Sequence, residues 1–229
     1  MSKDWTKIRA KVKDFIENEI YPKENELSKG TQESREILGS LMQLAKDEKI
    51  WALGHPQDIG GGGMPFMEYV YVNEVIGRSS FAMVALGTHS LQDSIMLREF
   101  ASSHWRDQYL EPLVQGEIFP SFGMTEPDVA SSDPTQLQTT AILDNGSWKI
   151  NGRKWFTTGA SRAAYTTVMC RTELDAPSHG AFSMIIVPTD NPGYKIIRET
   201  PVLGINGGHY EVEYDNVEVP EENLLGPRG

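Results

Sequence analysis

The hydrophobic period changes once along this chain, and this change restricts the possible folds more than any other feature. In the first half, apolar side chains recur every three or four positions, the spacing of helices with one buried face. After Gly116 the spacing becomes two, as at residues 137–143. The sequence therefore predicts an α+β multidomain chain, an antiparallel helical bundle followed by an antiparallel β-barrel or sandwich. We place the boundary near Gly116–Phe119 and predict an N-terminal helical domain at 1–118 and a middle β domain at 119–229.

Five helical patterns lie in the first half of the chain. The first follows Asp4, whose carboxylate is placed to cap a helix N-terminus. The third begins after Pro65, a residue that helices accept in their first turn but not in their interior. The five patterns cover residues 5–16, 37–45, 69–76, 91–100 and 105–114.

Turn signals divide the second half into strands. The stretch "DNGSWKINGRKWF" holds two Asn-Gly pairs, at 145–146 and 151–152, each flanked by strand-like residues. Asn-Gly is the strongest short signal of a β-hairpin, because both residues tolerate a positive φ. Further strands are predicted at residues 165–171, 182–188, 195–198 and 211–219.

The run "DIGGGGM" lies between two predicted helices. Four successive glycines suggest a phosphate-binding loop, but such a loop needs a strand before it and a Lys-Ser or Lys-Thr helix start after it. Neither is present in the sequence. We therefore predict a flexible connector that lets the backbone pass close to another part of the molecule.

Charge and composition exclude several classes of partner. The formal net charge of −11 argues against nucleic acid and against an acidic membrane surface. No apolar run is long enough to span a membrane, and the N-terminus has neither a secretory nor a typical transit pattern. The single cysteine, Cys170, excludes an internal disulfide and favours a reducing, cytoplasmic compartment. The five histidines never pair at metal-binding spacing, so no metal site is predicted.

Two stretches carry residues suited to binding a flat ligand. In "SFGMTEPDVASSD", at 121–133, Pro127 breaks an apolar run and leads into hydroxyl side chains, although ordinary loops have this composition too. In "NGRKWFTTG", at 151–159, Trp155 and Thr157 are two residues apart and are predicted to share a strand face. An indole with a nearby hydroxyl suits an isoalloxazine ring, but a core Trp beside a solvent-facing Thr gives the same pattern.

Together these stretches resemble the acyl-CoA dehydrogenase family. The likeness extends over the whole chain, from the glycine run after the second helix to the exit "DNVEVPEENLLG". The forms "TEPDVASSD" and "GGHYEVEYDNVEVP" resemble most the subgroup of family members 10 and 11. In this family a C-terminal helical domain follows and carries the catalytic carboxylate. The resemblance implies that this chain is a fragment without that domain, inactive alone and unable to hold FAD tightly.

The resemblance implies an FAD-dependent α,β-dehydrogenation of an acyl-CoA thioester, in fatty acid or other lipid metabolism. A carboxylate takes the proton alpha to the carbonyl while the beta hydrogen leaves as a hydride to the flavin. No catalytic residue is assigned to this chain, and Glu126 is expected to shape a loop. The implied cofactor-binding residues are Phe122, Met124, Thr125, Ser131, Trp155, Phe156 and Thr157. The implied substrate-binding residues are Ser132 and Thr172.

The implied partners are an acyl-CoA substrate and an electron-transfer flavoprotein or similar acceptor, with a homodimer or homotetramer for the full-length protein. The family also places the acyl pocket floor near residues 81–88, where helix-core packing explains the apolar side chains equally well. Two alternative functions stay open. One is a related flavoenzyme of the flavin monooxygenase or nitroalkane oxidase type, and the other is a non-catalytic binding protein with this fold.

Overall fold

The computed structural model describes residues 4–204 and 208–229, so Gly207 of the quoted "GGHYEVEYDNVEVP" stretch lies outside the described residues. These residues form two compact units. The helical unit comprises the chain up to Ile95 together with Glu111–Glu117, and the strand unit comprises Met96–Leu110 and the chain from Ile118 onward. The helices are α1 (Trp5–Phe15), α2 (Glu24–Leu27), α3 (Gln32–Asp47), α4 (Phe66–Ile76), α5 (Ala82–Ala85), α6 (Leu91–Phe100), α7 (Ser103–Trp105) and α8 (Glu111–Gln115).

The predicted helices form close to their expected bounds. The N-cap prediction is confirmed, because the Asp4 carboxylate accepts a hydrogen bond from the backbone N–H of Lys7. A π-helical turn at Ile16–Ile20 continues α1, and a second at Arg106–Leu110 joins α7 to α8. The buried core of the helical unit includes Val12, Ile16, Ile20, Leu41, Ala45, Val72 and Ile76.

The glycine run folds tightly against its own loop. The backbone N–H groups of residues 61–63 donate to the carbonyls of Pro56, Ala52 and His55, each at 2.9 Å. A Cβ atom on Gly61 would lie 2.2 Å from the carbonyl oxygen of His55. The predicted close approach is therefore confirmed, but the prediction of a flexible connector is wrong. Consecutive hydrogen bonds hold this backbone in place.

The strand unit is built on one eight-stranded, mostly antiparallel sheet. Its strands are β1 (Pro120–Gly123), β2 (Thr140–Asp144), β3 (Ser147–Thr158), β4 (Tyr165–Arg171), β5 (Phe182–Pro188), β6 (Tyr194–Glu199), β7 (His209–Pro220) and β8 (Leu224–Leu225). The order is β6-β7-β3-β2-β4-β5-β8, and β1 pairs with β4 in parallel. The predicted order of helical and β domains is confirmed.

The two Asn-Gly pairs have different structures. Asn145-Gly146 joins β2 to β3 with positive φ at both residues, so the first predicted hairpin is confirmed. The second prediction is wrong, because β3 runs through Asn151-Gly152 with an irregular register against β7. A Cβ at Gly152 would lie 2.4 Å from Oγ1 of Thr139. This glycine lets one backbone pass another and does not turn the chain.

Aromatic side chains connect the helical segment at 96–110 to the strands within the strand unit. The Trp105 ring stacks on Tyr109 at a centroid distance of 4.3 Å and meets Tyr165 of β4 edge-on at 5.5 Å. The Trp105 indole N–H donates to Oδ1 of Asn223. This unit therefore includes residues that precede the predicted boundary, and the division into 1–118 and 119–229 stays a prediction.

Candidate functional site

The two motif stretches meet at the end of β1. The backbone N–H of Trp155 donates to the carbonyl of Thr125 at 2.9 Å. In return, the Thr125 hydroxyl donates to the carbonyl of Trp155 at 2.8 Å. These two residues are 30 positions apart in sequence. The structure thus joins the stretches that the sequence singled out separately.

A β-bulge lies in β3 at this meeting point. Lys154 pairs with Val212 of β7, whereas Thr157 pairs with Tyr210. Three steps along β3 therefore match two steps along β7, which is the definition of a bulge with one extra residue. Phe156, inside the bulge, has a φ of +49°, a left-handed conformation that non-glycine residues seldom adopt.

The bulge overturns the alternation argument for Trp155 and Thr157. Because Val212 and Tyr210 lie two apart on β7, their partners Lys154 and Thr157 occupy the same face of the sheet. The extra residue thus breaks the simple alternation that was predicted to place Thr157 on the face of Trp155. Both residues still lie in the second motif stretch, but the inference of a shared face from their spacing is wrong.

The Thr157 hydroxyl is buried and lacks a hydrogen-bond partner among the described residues. Such a hydroxyl costs about 1–3 kcal/mol when it is left unpaired. Buried unpaired groups in native proteins call for an explanation, and a bound ligand is one. Thr157 follows the Thr125–Trp155 contact by two residues in β3, so its unpaired hydroxyl is a candidate for contact with a ligand.

Partly exposed aromatic and apolar side chains lie in the same two stretches of the chain. Trp155 and Phe156 lie with their ring centroids 4.7 Å apart, and Phe156 is 41% exposed. Phe122 of β1 and Met124, just after it, are half-buried. An apolar surface with a few polar groups is the usual composition of a cofactor site.

The two serines of the loop after Glu126 have different environments. Ser131 is buried, and its hydroxyl accepts a hydrogen bond from the Glu126 N–H at 2.8 Å and reaches the Glu126 carbonyl at 3.2 Å. Ser132 is exposed. Asp133 accepts from the N–H and the hydroxyl of Thr135 and caps the turn that follows. Ser131 therefore holds the loop together, whereas Ser132 presents a hydroxyl to solvent.

Thr172 follows β4 and is buried. Its hydroxyl lies 2.6 Å from the hydroxyl of Ser183 on β5. The Thr172 side chain therefore already has a partner within the strand unit. Its role as a substrate contact stays a prediction that this geometry does not favour.

A buried ion pair at the site was missed from the sequence. The Lys154 ammonium lies 2.8 Å from Oε1 of Glu126, and their side chains are 0% and 5% exposed. Lys154 also donates to the carbonyl of Met124 at 2.7 Å. The Glu126 carboxylate accepts from the N–H groups of Gln138 at 2.7 Å and Thr139 at 2.9 Å. The available signal was a lysine next to Trp155, at a position that the period-two pattern of Trp148 and Ile150 assigns to the buried face.

These contacts decide the protonation state of Glu126. Burial alone would raise the pKa of the Glu126 carboxyl, but hydrogen bonds from Lys154 and residues 138–139 outweigh it and hold that pKa below its ordinary value. Burial lowers the pKa of the Lys154 ammonium, and the adjacent carboxylate opposes that shift. Glu126 is thus an ionised, fully bonded carboxylate that shapes the loop, as expected from the sequence.

The described residues contain neither a side-chain cluster suited to a metal ion nor a helix suited to crossing a membrane. Within 4–204 and 208–229, no three His, Cys, Asp or Glu side chains are placed to hold a metal ion. No helix in the same ranges has the length and apolar character needed to cross a membrane.

Comparison with known proteins identifies the family. The acyl-CoA dehydrogenase N-terminal domain model matches residues 2–117, and the acyl-CoA dehydrogenase middle domain model matches residues 121–217. The chain belongs to the acyl-CoA dehydrogenase family. The resemblance stated from the sequence motifs is therefore confirmed, and acyl-CoA dehydrogenases are FAD-dependent oxidoreductases.

Similar proteins include both bacterial and animal acyl-CoA dehydrogenases. A Mycobacterium tuberculosis protein named probable acyl-CoA dehydrogenase FadE2 is 41% identical over 200 residues, which cover 84% of this chain and 48% of that protein. Acyl-CoA dehydrogenase family member 11 of Gallus gallus is 34% identical over 98% of this chain and 31% of its own length, which confirms the predicted subgroup. A solved Mycobacterium abscessus protein assigned to acyl-CoA dehydrogenases has a TM-score of 0.91 and 32% identity, and the match covers 100% of this chain and 61% of that one. This chain thus spans less than two thirds of each of these relatives.

Proposed function

We propose that this chain provides the flavin-contacting part of an FAD-dependent acyl-CoA dehydrogenase that oxidises an acyl-CoA thioester between its α and β carbons. The observation that carries the proposal is the buried, unpaired Thr157 hydroxyl beside the reciprocal Thr125–Trp155 contact. A flavin offers polar atoms along the edge of its ring system that can pair with such a hydroxyl.

The residues at the bulge have distinct proposed roles around the cofactor. Trp155 and Phe156 cover the flat ring system, and Phe122 and Met124 complete the apolar surface. Thr157 hydrogen-bonds the polar edge of the ring. Thr125 is fixed by Trp155 and presents its remaining hydrogen-bonding capacity to the flavin. When bound, FAD supplies the two-electron acceptor for the dehydrogenation.

Ser132 is the residue that we assign to the CoA arm of the substrate, because its hydroxyl is exposed whereas that of Ser131 is used within the loop. We propose that Ser131 serves the cofactor site only through the loop that its hydroxyl holds together. Leu86, in the segment predicted to floor the acyl pocket, is fully buried in the helical unit, so the preferred acyl length stays open.

The protein also has to remove a proton from the substrate, and Glu126 is unsuited to that step. Its carboxylate is buried and already accepts three hydrogen bonds. We therefore assign no proton acceptor among the described residues. The proposed partners of the full-length protein are an electron-transfer flavoprotein or similar acceptor and further copies of itself, and the proposed location is the cytoplasm.

The test is reduction of the flavin by a saturated acyl-CoA. The full-length protein is expected to purify with FAD bound, and anaerobic mixing with acyl-CoAs of several lengths should bleach the visible absorption of its oxidised flavin. A flavin that no acyl-CoA bleaches would contradict the proposal. Oxygen consumption with a substrate lacking CoA would instead favour the monooxygenase or nitroalkane oxidase alternative.

A further inference from the structure

The residues next to the Thr125–Trp155 contact form a second contact, made of opposite charges. Glu126 follows Thr125 in the chain, and Lys154 precedes Trp155. Their side chains meet at 2.8 Å and are almost completely buried. The ion pair and the reciprocal main-chain pair therefore join the same two segments of the chain.

Three successive residues of the first segment are bonded to two residues of the second. The Met124 carbonyl accepts from the Lys154 ammonium at 2.7 Å. The Thr125 carbonyl accepts from the Trp155 N–H at 2.9 Å, and the Glu126 carboxylate accepts from Lys154. Lys154 thus bonds to the residue before Thr125 and to the residue after it, and Thr125 is itself proposed to contact the flavin.

General stabilisation is a poor explanation for this ion pair. Burying two charges is costly, and well-packed apolar residues of similar volume often stabilise a core equally well or better. A buried pair can instead fix one arrangement, because any other arrangement leaves both charges unpaired. Its removal should therefore change the register of the two segments as well as their stability.

The bulge explains why the register here needs to be fixed. Phe156 adds an extra residue to β3 in an uncommon left-handed conformation. A slip of one residue in a strand sends every side chain to the opposite face. Lys154 is the last regularly paired residue before the bulge, so anchoring it also sets where Thr157 emerges.

We propose that Lys154 and Glu126 are positioning residues, which fix residues 124–126 against residues 154–155 so that Thr125, Trp155 and Thr157 present to the flavin in a single register. Both side chains are almost completely buried, and we assign neither a contact with the cofactor. This inference rests on the proposed function, since it names how the flavin contacts are held.

The experiment uses the full-length protein with Lys154→Met, with Glu126→Gln and with both changes. Three quantities are measured: amide hydrogen exchange at residues 124–126 and 154–158, the dissociation constant of FAD and the melting temperature. Ile185→Ala, a core change in β5, is the matched control for loss of stability alone. Each single variant should exchange at least tenfold faster in both segments and bind FAD at least tenfold more weakly. The Ile185→Ala control should lower the melting temperature without these two effects.

The double variant separates positioning from stability. Because it leaves no uncompensated charge, its melting temperature should return toward that of the wild type, while its FAD affinity stays at least tenfold weaker. Recovery of FAD affinity together with melting temperature would overturn the positioning role. Unchanged exchange in the two segments would overturn it as well, whether or not FAD binds. A wild-type protein that binds no FAD would overturn the proposed function, and the exchange data alone would then decide whether the two segments are held by the pair.

Discussion

The helical unit buries an uncharged ionisable side chain, whereas the strand unit buries a pair of charged ones. In the helical unit, His55 lies fully buried with its Nε2 3.2 Å from the Ser90 hydroxyl, and burial lowers the pKa of its imidazole to about 4. In the strand unit, Lys154 and Glu126 are buried as an ion pair. A neutral ring can be buried with few partners, whereas charges need several converging hydrogen bonds. In this chain those bonds converge on Glu126 and Lys154, one in each of the two motif stretches.

The largest effect should come from breaking the ion pair. Glu126→Gln removes one charge and leaves the Lys154 ammonium buried without a counter-charge, so we expect the free energy of unfolding of the strand unit to fall by roughly 3–5 kcal/mol. Urea unfolding of the purified protein measures this change.

The exposed pair between Lys149 and Glu218, on the neighbouring strands β3 and β7, is the matched control. Because both of its side chains are largely in solvent, Glu218→Gln should change the free energy of unfolding far less. Equal losses for the two variants would contradict the contrast between buried and exposed charges.

A smaller effect should come from His55, which should lower the free energy of unfolding as pH falls. Its pKa is about 4 in the folded chain and near 6.5 when unfolded, so as pH falls below 6.5 the unfolded state takes up the proton first. Stability from this group is therefore lost between pH 6.5 and 4, by about 3 kcal/mol in total at about 1.4 kcal/mol per pH unit. Urea unfolding at pH 7 and pH 4.5 should show this loss in the wild type and not in His55→Gln.

Asp93, in the same unit, is a control because its effect on stability should have the opposite pH dependence. Burial raises the pKa of its carboxyl to about 6, so its contribution to stability is present at low pH and lost as pH rises through 6. Asp93→Asn should therefore remove a dependence opposite to that of His55. Identical pH profiles for wild type and both variants would contradict the burial of these two groups.

The smallest loss of stability should come from Thr157→Val. The change removes a buried hydroxyl that has no partner in the described chain, so the free energy of unfolding of the FAD-free protein should not fall and should rise by up to about 3 kcal/mol. The rate of flavin reduction by acyl-CoA should nevertheless fall by about tenfold, the value of one hydrogen bond of about 1.4 kcal/mol. Thr158→Val is the control, because the Thr158 hydroxyl is exposed and lies 3.0 Å from Nδ1 of His209. Equal rates for both variants would mean that Thr157 does not serve the flavin.

Local patterns were sufficient to predict most of the fold. The strands at Tyr165–Arg171 and Phe182–Pro188 have the predicted bounds, because continuous β-branched and apolar residues end at turn residues. The failure at Asn151-Gly152 has a non-local cause. Whether the chain turns or continues at this dipeptide depends on the close approach of Thr139. The residues next to Asn151-Gly152 in sequence do not reveal that approach.

The candidate site could be predicted only in part, for a similar reason. Motif resemblance pointed to Thr125, Trp155 and Thr157, and the structure joins the first two directly. The inference from alternating residues was wrong because one extra residue in β3 changes which face of the sheet the residues after Lys154 occupy. The partner of Lys154 is 28 residues away, and pairing across that distance depends on the sheet topology.

The proposed flavin site is tested most directly by a map of where FAD protects the protein. Amide hydrogen exchange of the full-length protein is measured with and without FAD. We expect the strongest protection within the strand unit at residues 122–126 and 154–158, which hold the reciprocal Thr125–Trp155 contact and the Thr157 hydroxyl. Tight FAD binding that protects other segments and leaves both of these unchanged would contradict the assignment of this site.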